Sequence, residues 1–465
     1  MEQARFLEGN PMRHVTVMSF TASVGLLAIF AVDFVDMIFI SMLGQEELAA
    51  AVGYAGAILF FTTSLNIGIA IAAGVLVAQA LGAGDEELAR RRSTNALLAG
   101  GLIAAVFAGV VWINLEPLTA LVGATGRAQD LAVLYLAIVV PTLPLLMIGM
   151  AGGAILRAYG DARRSMMATV IGGLVNAVLD PILIFGLNLD LTGAALASAA
   201  SRVAIAIFAL VPIYRHHGGL PMPRLPAFLT DLRPITAIAI PAILTQLATP
   251  VGQAYVTRAM AEYGEQAVAG MAVVARLTPI SFAIVFALSG AVGPIVGQNF
   301  GAGRNDRVRD TLRDALLFTG FVVLAVSLIL FLLRAPIADL FDAQGQARDL
   351  IYLFCGPLAL LFFFNGALFV ANAGFNNLGR PFYSTWTNWG RHTLGTIPFV
   401  IVGAACAGAE GILIGQALGG VIFGVLAVWL VYRRVAEAEG SAPHDHHHGP
   451  FQRHARQVAL FFARR

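Results

Sequence analysis

Five oxygen-bearing side chains stand out because they fall inside long apolar runs: Asp33 and Asp36 in 15–42, Asn176 and Asp180 in 165–188, and Ser198 in 191–214. A carboxylate at the centre of a bilayer costs about 2.5–3.5 kcal/mol on insertion scales, so an acid there needs water, a partner or a function. Asp33 and Asp36 are three residues apart and share one helix face, where mutual repulsion favours one of them holding a proton. Asn176 and Asp180 are four apart and point the same way. Pro181 has no N–H to give to the carbonyl of Ala177, which is left free to coordinate a cation or water. Two carboxylates, an amide, the Ser198 hydroxyl and a loose carbonyl make an oxygen-rich set of the kind a proton or a hard cation uses. The blander alternative is that these groups only pair with Arg202 and with each other. Intramembrane acids are rarely idle, which favours ion coupling.

Such a site needs helices that cross a membrane, and the composition supplies them. The 465 residues are 58% hydrophobic and 12% charged, about half the ~25% charged fraction of soluble domains. The mean hydropathy is +0.79. Apolar stretches divided by charge and turn clusters predict twelve helices near 15–42, 49–81, 93–122, 130–152, 165–188, 191–214, 234–261, 267–298, 314–341, 349–375, 384–405 and 408–433. This is an all-α membrane protein with the lipid bilayer as its surroundings. A soluble enzyme and a disordered chain do not fit, and a net charge of +2 gives no reason to expect a nucleic-acid partner. The first apolar run is too long for a signal peptide. Cys355 and Cys406 lie in apolar runs without CxxC or Cys/His spacing and read as packing residues.

An internal repeat organises the spans. Ala78-Gln-Ala-Leu-Gly-Ala-Gly84 recurs 219 residues later as Gly297-Gln-Asn-Phe-Gly-Ala-Gly303, and Tyr159-Gly160 recurs at the same offset as Leu378-Gly379. Leu43-Gly44 recurs 220 residues later as Tyr263-Gly264. The chain therefore divides into a six-helix half over 1–214, a linker over 215–233 with three prolines in six residues, a second six-helix half over 234–435 and a polar tail over 436–465. Because six is even, both halves enter the membrane from the same side, as a parallel repeat about an axis along the membrane normal. Arginines concentrate at the N-terminus and in alternate loops, among them Arg90 to Arg92, Arg157, Arg163 and Arg164, and Arg304 to Arg313. That bias puts both termini in the cytoplasm of a cell whose inner, or plasma, membrane holds the protein.

Other signals are weaker. Gly82-Ala-Gly-Asp85 fits the GxGD pattern of intramembrane aspartyl proteases but recurs as Gly-Ala-Gly-Arg in the second half and has no Tyr-Asp partner, so it reads as a turn and no enzyme is expected. His444, His446, His447 and His448 read as a solvated tail before a metal site. Phe362, Phe363 and Asn365, with Trp386, Trp389 and Arg391, are candidates for a substrate cavity in the second half, the aromatics for their cation–π capacity. Arg202, Arg276 and Arg391 lie within or near spans, and each reads as a structural partner slightly ahead of a functional charge, because a buried arginine normally has a fixed acceptor.

At this point the sequence resembles the multidrug and toxic compound extrusion (MATE) transporters. The matching stretches are 35–51 (VDMIFISMLGQEELAAA), 77–85 (VAQALGAGD), 156–164 (LRAYGDARR), 176–185 (NAVLDPILIF), 193–198 (GAALAS) and 293–309 (GPIVGQNFGAGRNDRVR). The resemblance implies a twelve-helix, two-bundle antiporter that exchanges small organic molecules, often cations, for inward-moving H⁺ or Na⁺. It implies no cofactor beyond that coupling ion, and a monomer is expected. Carried over position by position, Asp36, Asn176 and Asp180 match the cation site of the first bundle in the DinF-like branch, and Ser198 stands where that pattern usually has threonine. Two departures matter: the seventh and tenth helices lack the deep acids of relatives that use the second bundle, and the first helix lacks the proline whose kink some relatives use. A lipid-linked-oligosaccharide flippase of the same superfamily and a non-transporting receptor or scaffold are the rival readings.

Overall fold

The computed structural model describes residues 4–43 and 45–441, and no β-strand occurs among them. Twelve spans follow in order. They are α1 (Pro11–Met42), α2 (Glu46–Gly82), α3 (Glu86–Ile113), α4 (Gly126–Ala158), α5 (Ala162–Gly186) and α6 (Asp190–His216), then α7 (Leu225–Ala261). In α8 the segments Glu265–Ser281 and Ala283–Gly301 meet at a break at Phe282. After α9 (Asn305–Leu340) and α10 (Gly345–Asn377), α11 covers 382–406 and α12 covers 409–441, separated by non-helical backbone at Ala407 and Gly408.

Several boundaries differ from the sequence expectation for physical reasons. The linker is shorter, because α6 continues to His216 and α7 already starts at Leu225. Pro226 falls in the first turn of α7, where a missing N–H costs nothing. The expected span over 93–122 divides at Asn114 into α3 and a short helix, Leu115–Leu121. The tail expected from residue 436 begins as the last turns of α12, where Glu437 pairs with Arg433 and Arg434. The His444–His448 cluster lies outside the described residues.

In the two motifs that recur at the 219-residue offset, a glycine ends the helix in the left-handed region, with φ of 76° at Gly84, 82° at Gly160, 71° at Gly303 and 71° at Gly379. A residue with a Cβ is strained there, which explains why the turn repeats as glycine. In the first half the next residue then caps the following helix: the Asp85 carboxylate accepts the Leu88 N–H at 2.8 Å and that of Asp161 the Arg164 N–H at 3.2 Å.

Helices α1–α6 pack as one bundle and α7–α12 as the other. Between them, α1 lies on α8, α2 on α7, and α2 crosses α8. Exchanging the halves turns the first contact into the second and the third into itself, as a pseudo-two-fold axis requires. At the crossing, an added Cβ on Gly82 would stand 2.0 Å from the Gln298 carbonyl oxygen, and one on Gly301 2.1 Å from that of Gln79. The two glutamines reach across in opposite directions: Gln79 Nε2 donates to the Asn377 carbonyl at 2.8 Å and Gln298 Nε2 to the Ala158 carbonyl at 2.7 Å. Both glutamines and both acceptors are related by the 219-residue offset.

The N-terminal segment closes over this crossing. Phe6 is 2% exposed, its N–H donates to Gln298 Oε1 at 2.9 Å, and Arg307 donates to its carbonyl at 3.1 Å. Arg5 Nη1 donates to the Gly160 carbonyl of the first bundle at 3.0 Å. The end of the molecule that carries both described termini is thus sealed by contacts from both halves.

A valine in place of Gly82 or Gly301 cannot fit this backbone contact. Gly82→Val and Gly301→Val should each lower the unfolding midpoint in detergent, by about 1–3 kcal/mol of overpacking, while valine at Gly109, which has nothing within 4 Å, should not. Equal midpoints for all three variants would remove the crossing from its place as the tie between halves.

Candidate cation-coupling site

The acids foreseen in α1 and α5 do meet. Asn176 Nδ2 donates to both carboxylate oxygens of Asp36, at 2.9 and 3.0 Å, and to Asp180 Oδ2 at 2.9 Å. Asp36 and Asp180 lie within hydrogen-bonding reach of each other. Asn176 is 4% exposed and Asp180 0%. At an effective dielectric of about 20, two unit charges 4 Å apart repel by about 4 kcal/mol. One amide relieves only part of this, so the pair is at rest when a proton or a cation sits on it.

One carboxylate oxygen is left over. Asp180 Oδ1 is buried and has no hydrogen-bond partner, an arrangement that costs free energy unless something binds there. Helix α5 is irregular just beyond it: Pro181 is followed by a wide π turn over Ile182–Gly186, where the N–H of Leu187 reaches back to the Ile182 carbonyl at 2.9 Å. The proline that frees the Ala177 carbonyl therefore also marks the place where the helix loosens. Among the described residues, no group of three or more His, Cys, Asp or Glu side chains is placed to hold a metal ion.

The remaining candidates fall into different places. Ser198 hydrogen-bonds Tyr135 of α4, which also lies near both acids. Tyr135 escaped the sequence reading; a tyrosine within a span instead of at its interface end is the signal that pointed to it. Asp33 is exposed, one turn from Asp36, and joins no hydrogen bond among the described residues. Arg202 does not pair with the acids: its Nη1 donates to the Val139 carbonyl at 2.8 Å and Thr142 Oγ1 at 2.9 Å. Those groups belong to a tight turn at Pro141, where α4 loses its regular bonds, so Arg202 satisfies a broken helix.

In the second half, Phe362 is not a cavity wall. It is 9% exposed and stacks on Phe282 at 4.1 Å in the bundle core. Phe363 packs edge-on against Phe364 at 5.3 Å. Trp386 is 64% exposed on the outer face of α11, and Trp389 Nε1 donates to the Leu244 carbonyl at 2.8 Å. Asn365 Oδ1 is buried without a partner, and the Arg391 guanidinium makes no hydrogen bond among the described residues. Arg157, counted as a loop charge in the sequence, is the last-turn arginine of α4. Its Nη1 donates to Ser165 Oγ at 2.8 Å and its guanidinium lies beside Gly290 of α8.

A cavity of about 460 Å³ opens at the sealed end, lined by Arg5, Asp161, Arg164 and His217 among others. Its charges are already matched. Burial works against the Asp161 charge, but hydrogen bonds from His217 and Arg164 hold its carboxyl down at about 2.

The bundle pair and the acid cluster define a membrane transporter, and comparison with known proteins gives its family. The MatE family model matches residues 22–182 and 241–402, two segments whose starts are separated by the same 219 residues as the repeat. The chain belongs to this family, the multidrug and toxic compound extrusion transporters. It is 28% identical over 435 residues to a FAD transporter of Shewanella oneidensis, covering 90% of this chain and 93% of that one. It is 24% identical over 352 residues to the multidrug export protein MepA of Staphylococcus aureus, covering 75% and 78%. Among solved structures, the Vibrio cholerae MATE transporter VcmN superposes with a TM-score of 0.87 at 24% identity, covering 92% of this chain and 97% of that one. A multidrug resistance MATE transporter in an outward-facing conformation superposes with a TM-score of 0.87 at 22% identity, covering 94% and 99%.

Asn176 supplies the hydrogen bonds from its amide that tie the middle of α1 to α5, beside the Asp36–Asp180 contact. Asn176→Ala should remove hydrogen bonds to charged groups worth about 1.5–3 kcal/mol in all and speed amide exchange in residues 30–40 of α1 without altering α9. Unchanged exchange in α1 would mean that packing alone holds it.

Proposed function

We propose that this protein is a cation-coupled antiporter that exports small organic molecules by alternating access, with H⁺ as the ion the site favours. The observation that carries the reading is the buried Asp36–Asn176–Asp180 contact with its unmatched Asp180 oxygen. The amide of Asn176 presents its N–H groups to the carboxylates, in the position a sodium ion would need free. A proton on the acid pair removes the repulsion without turning that amide. Asp36, Asn176, Asp180 and Ser198 are the coupling residues in this reading, and Tyr135 orients Ser198.

The arginine bias places both termini in the cytoplasm and the protein in the inner membrane. The sealed end then faces the cytoplasm. The relatives named as a FAD transporter and a multidrug export protein support an organic cargo of modest size. An inward proton yields about 1.4 kcal/mol per pH unit and about 2.3 kcal/mol per 100 mV, enough to move such a cargo uphill. The rival flippase and scaffold readings leave the acid cluster without a role.

Purified protein in proteoliposomes should show cargo flux under an imposed pH gradient and none under a Na⁺ gradient alone. Asp36→Asn fixes that position neutral at nearly the same size, so it should fold and still bind cargo yet lose uphill export. Asp33→Asn should retain it. Uphill export by Asp36→Asn at equal protein abundance, with unchanged ion dependence, would overturn the proposal.

A further inference from the structure

Arg391 is a charge without an answer. On α11 it shares a face with Ser384 and Thr387, which are three to four residues apart from one another and from it. Both neighbours are buried, at 0% and 2% exposure, whereas Trp386 on the opposite face is 64% exposed. The guanidinium therefore points into the second bundle and not at lipid. Among the described residues it has no hydrogen bond and no ion pair. In the helices packed around it, acids occur only near the ends: Asp231 in α7, Asp349 in α10, and Glu410, Glu437 and Glu439 in α12. Arg391 is only partly exposed, and an arginine within a span ordinarily has a fixed acceptor.

The space next to it is kept open and is lined by a further unsatisfied group. At Gly420 of α12 an added Cβ would stand 3.8 Å from Arg391 Nε and 3.8 Å from Asn365 Oδ1. Asn365 Oδ1 is buried with no partner. The next residue, His392, turns away, its ring packed against Gly252 of α7. The guanidinium is the complement of an oxyanion, and the Asn365 oxygen, an acceptor, that of a hydrogen-bond donor carried beside it.

We propose that Arg391, with Asn365 beside it, is a binding site for the carboxylate or phosphate of the exported molecule. The inference rests on the export reading and narrows its cargo to compounds with an anionic group, in place of the organic cations expected from the family resemblance. The planar fork of arginine takes two oxygens of such a group at once, which lysine does not. The first bundle would then carry the ion and the second the charged end of the cargo.

The test uses two xanthene dyes of opposite charge, carboxyfluorescein and rhodamine 123, read by dye anisotropy on the full-length protein in neutral-lipid nanodiscs without any gradient. Wild type should bind carboxyfluorescein. Arg391→Gln, at an unchanged unfolding midpoint, should bind it at least tenfold more weakly and rhodamine 123 no more weakly. Should Arg391→Gln fail to fold, Arg391→Lys decides, with an affinity for the anion below wild type but still salt-sensitive. Wild-type-like anion binding by the folded variant, or no anion binding by wild type, would overturn the proposal. So would loss of the dye in phosphatidylglycerol nanodiscs, which would give the site to a lipid headgroup. Arg391-dependent binding without any gradient-driven flux would instead sink the export reading and leave this site standing.

Discussion

The crossing of α2 over α8 is the constraint on which the rest of the molecule depends. Within lipid, apolar surface gives helices no preference for each other over acyl chains, so association rests on close packing and internal hydrogen bonds. Gly82 and Gly301 bring two backbones together where any side chain would collide. Gln79 and Gln298 then satisfy carbonyls at the ends of α10 and α4, each in the opposite half. The contact maps onto itself under exchange of halves and ties one end of the bundle pair, so in the proposed alternating-access cycle it would be the hinge.

The backbone repeats across that axis, but the chemistry does not. At the 219-residue offset, Asn176 and Asp180 become Gly395 and Phe399, and Arg391 corresponds to Gly172. Gly172 leaves no room for a side chain, since an added Cβ would be 2.2 Å from Ile205. Gly395 likewise faces the Arg391 carbonyl at 2.7 Å and the Phe423 ring at 2.8 Å. Each half has filled with packing the place where the other keeps a charge. Duplication supplied a symmetric scaffold, and the acid pair and the lone guanidinium each needed space that only one copy provides.

The fold was legible because bilayer thickness and hydrogen-bond satisfaction leave few alternatives to a bundle of helices. The acid cluster was legible because Asn176 and Asp180 are one turn apart and too polar for their surroundings. Arg202 was ambiguous, since its acceptors are backbone groups exposed by the turn at Pro141, and spacing does not reveal a broken helix. Phe362 misled because an aromatic run reads the same whether it lines a cavity or stacks on Phe282. Arg157 looked like a loop charge because it stands at the end of an apolar run; its reach back to Ser165 and Gly290 is a matter of side-chain length. Pro226 looked like a linker residue because proline both ends helices and begins them.

Helix α1 joins the acid pair to the hinge. It packs on α5 within its own bundle and on α8 and α9 of the other. Around the acids it is loosely held: Asp33, Phe34, Met37 and Ile38 are exposed, and Asn176 supplies the polar contact that fixes Asp36. Nearer the sealed end it is held firmly, with Val15 at 0% and Met18 at 3% exposure. In the proposed cycle, a proton arriving on the acid pair would act on the less buried half of a helix whose other half is packed near the crossing. An ion can shift a conformational equilibrium only by the difference in its binding free energy between two states. Under the proposed coupling, that difference would come from the contact of Asp36 with Asn176 and Asp180, which is made only while α1 lies against α5. Because α1 also packs on α8 and α9, a change at the acids would reach the contact between the halves.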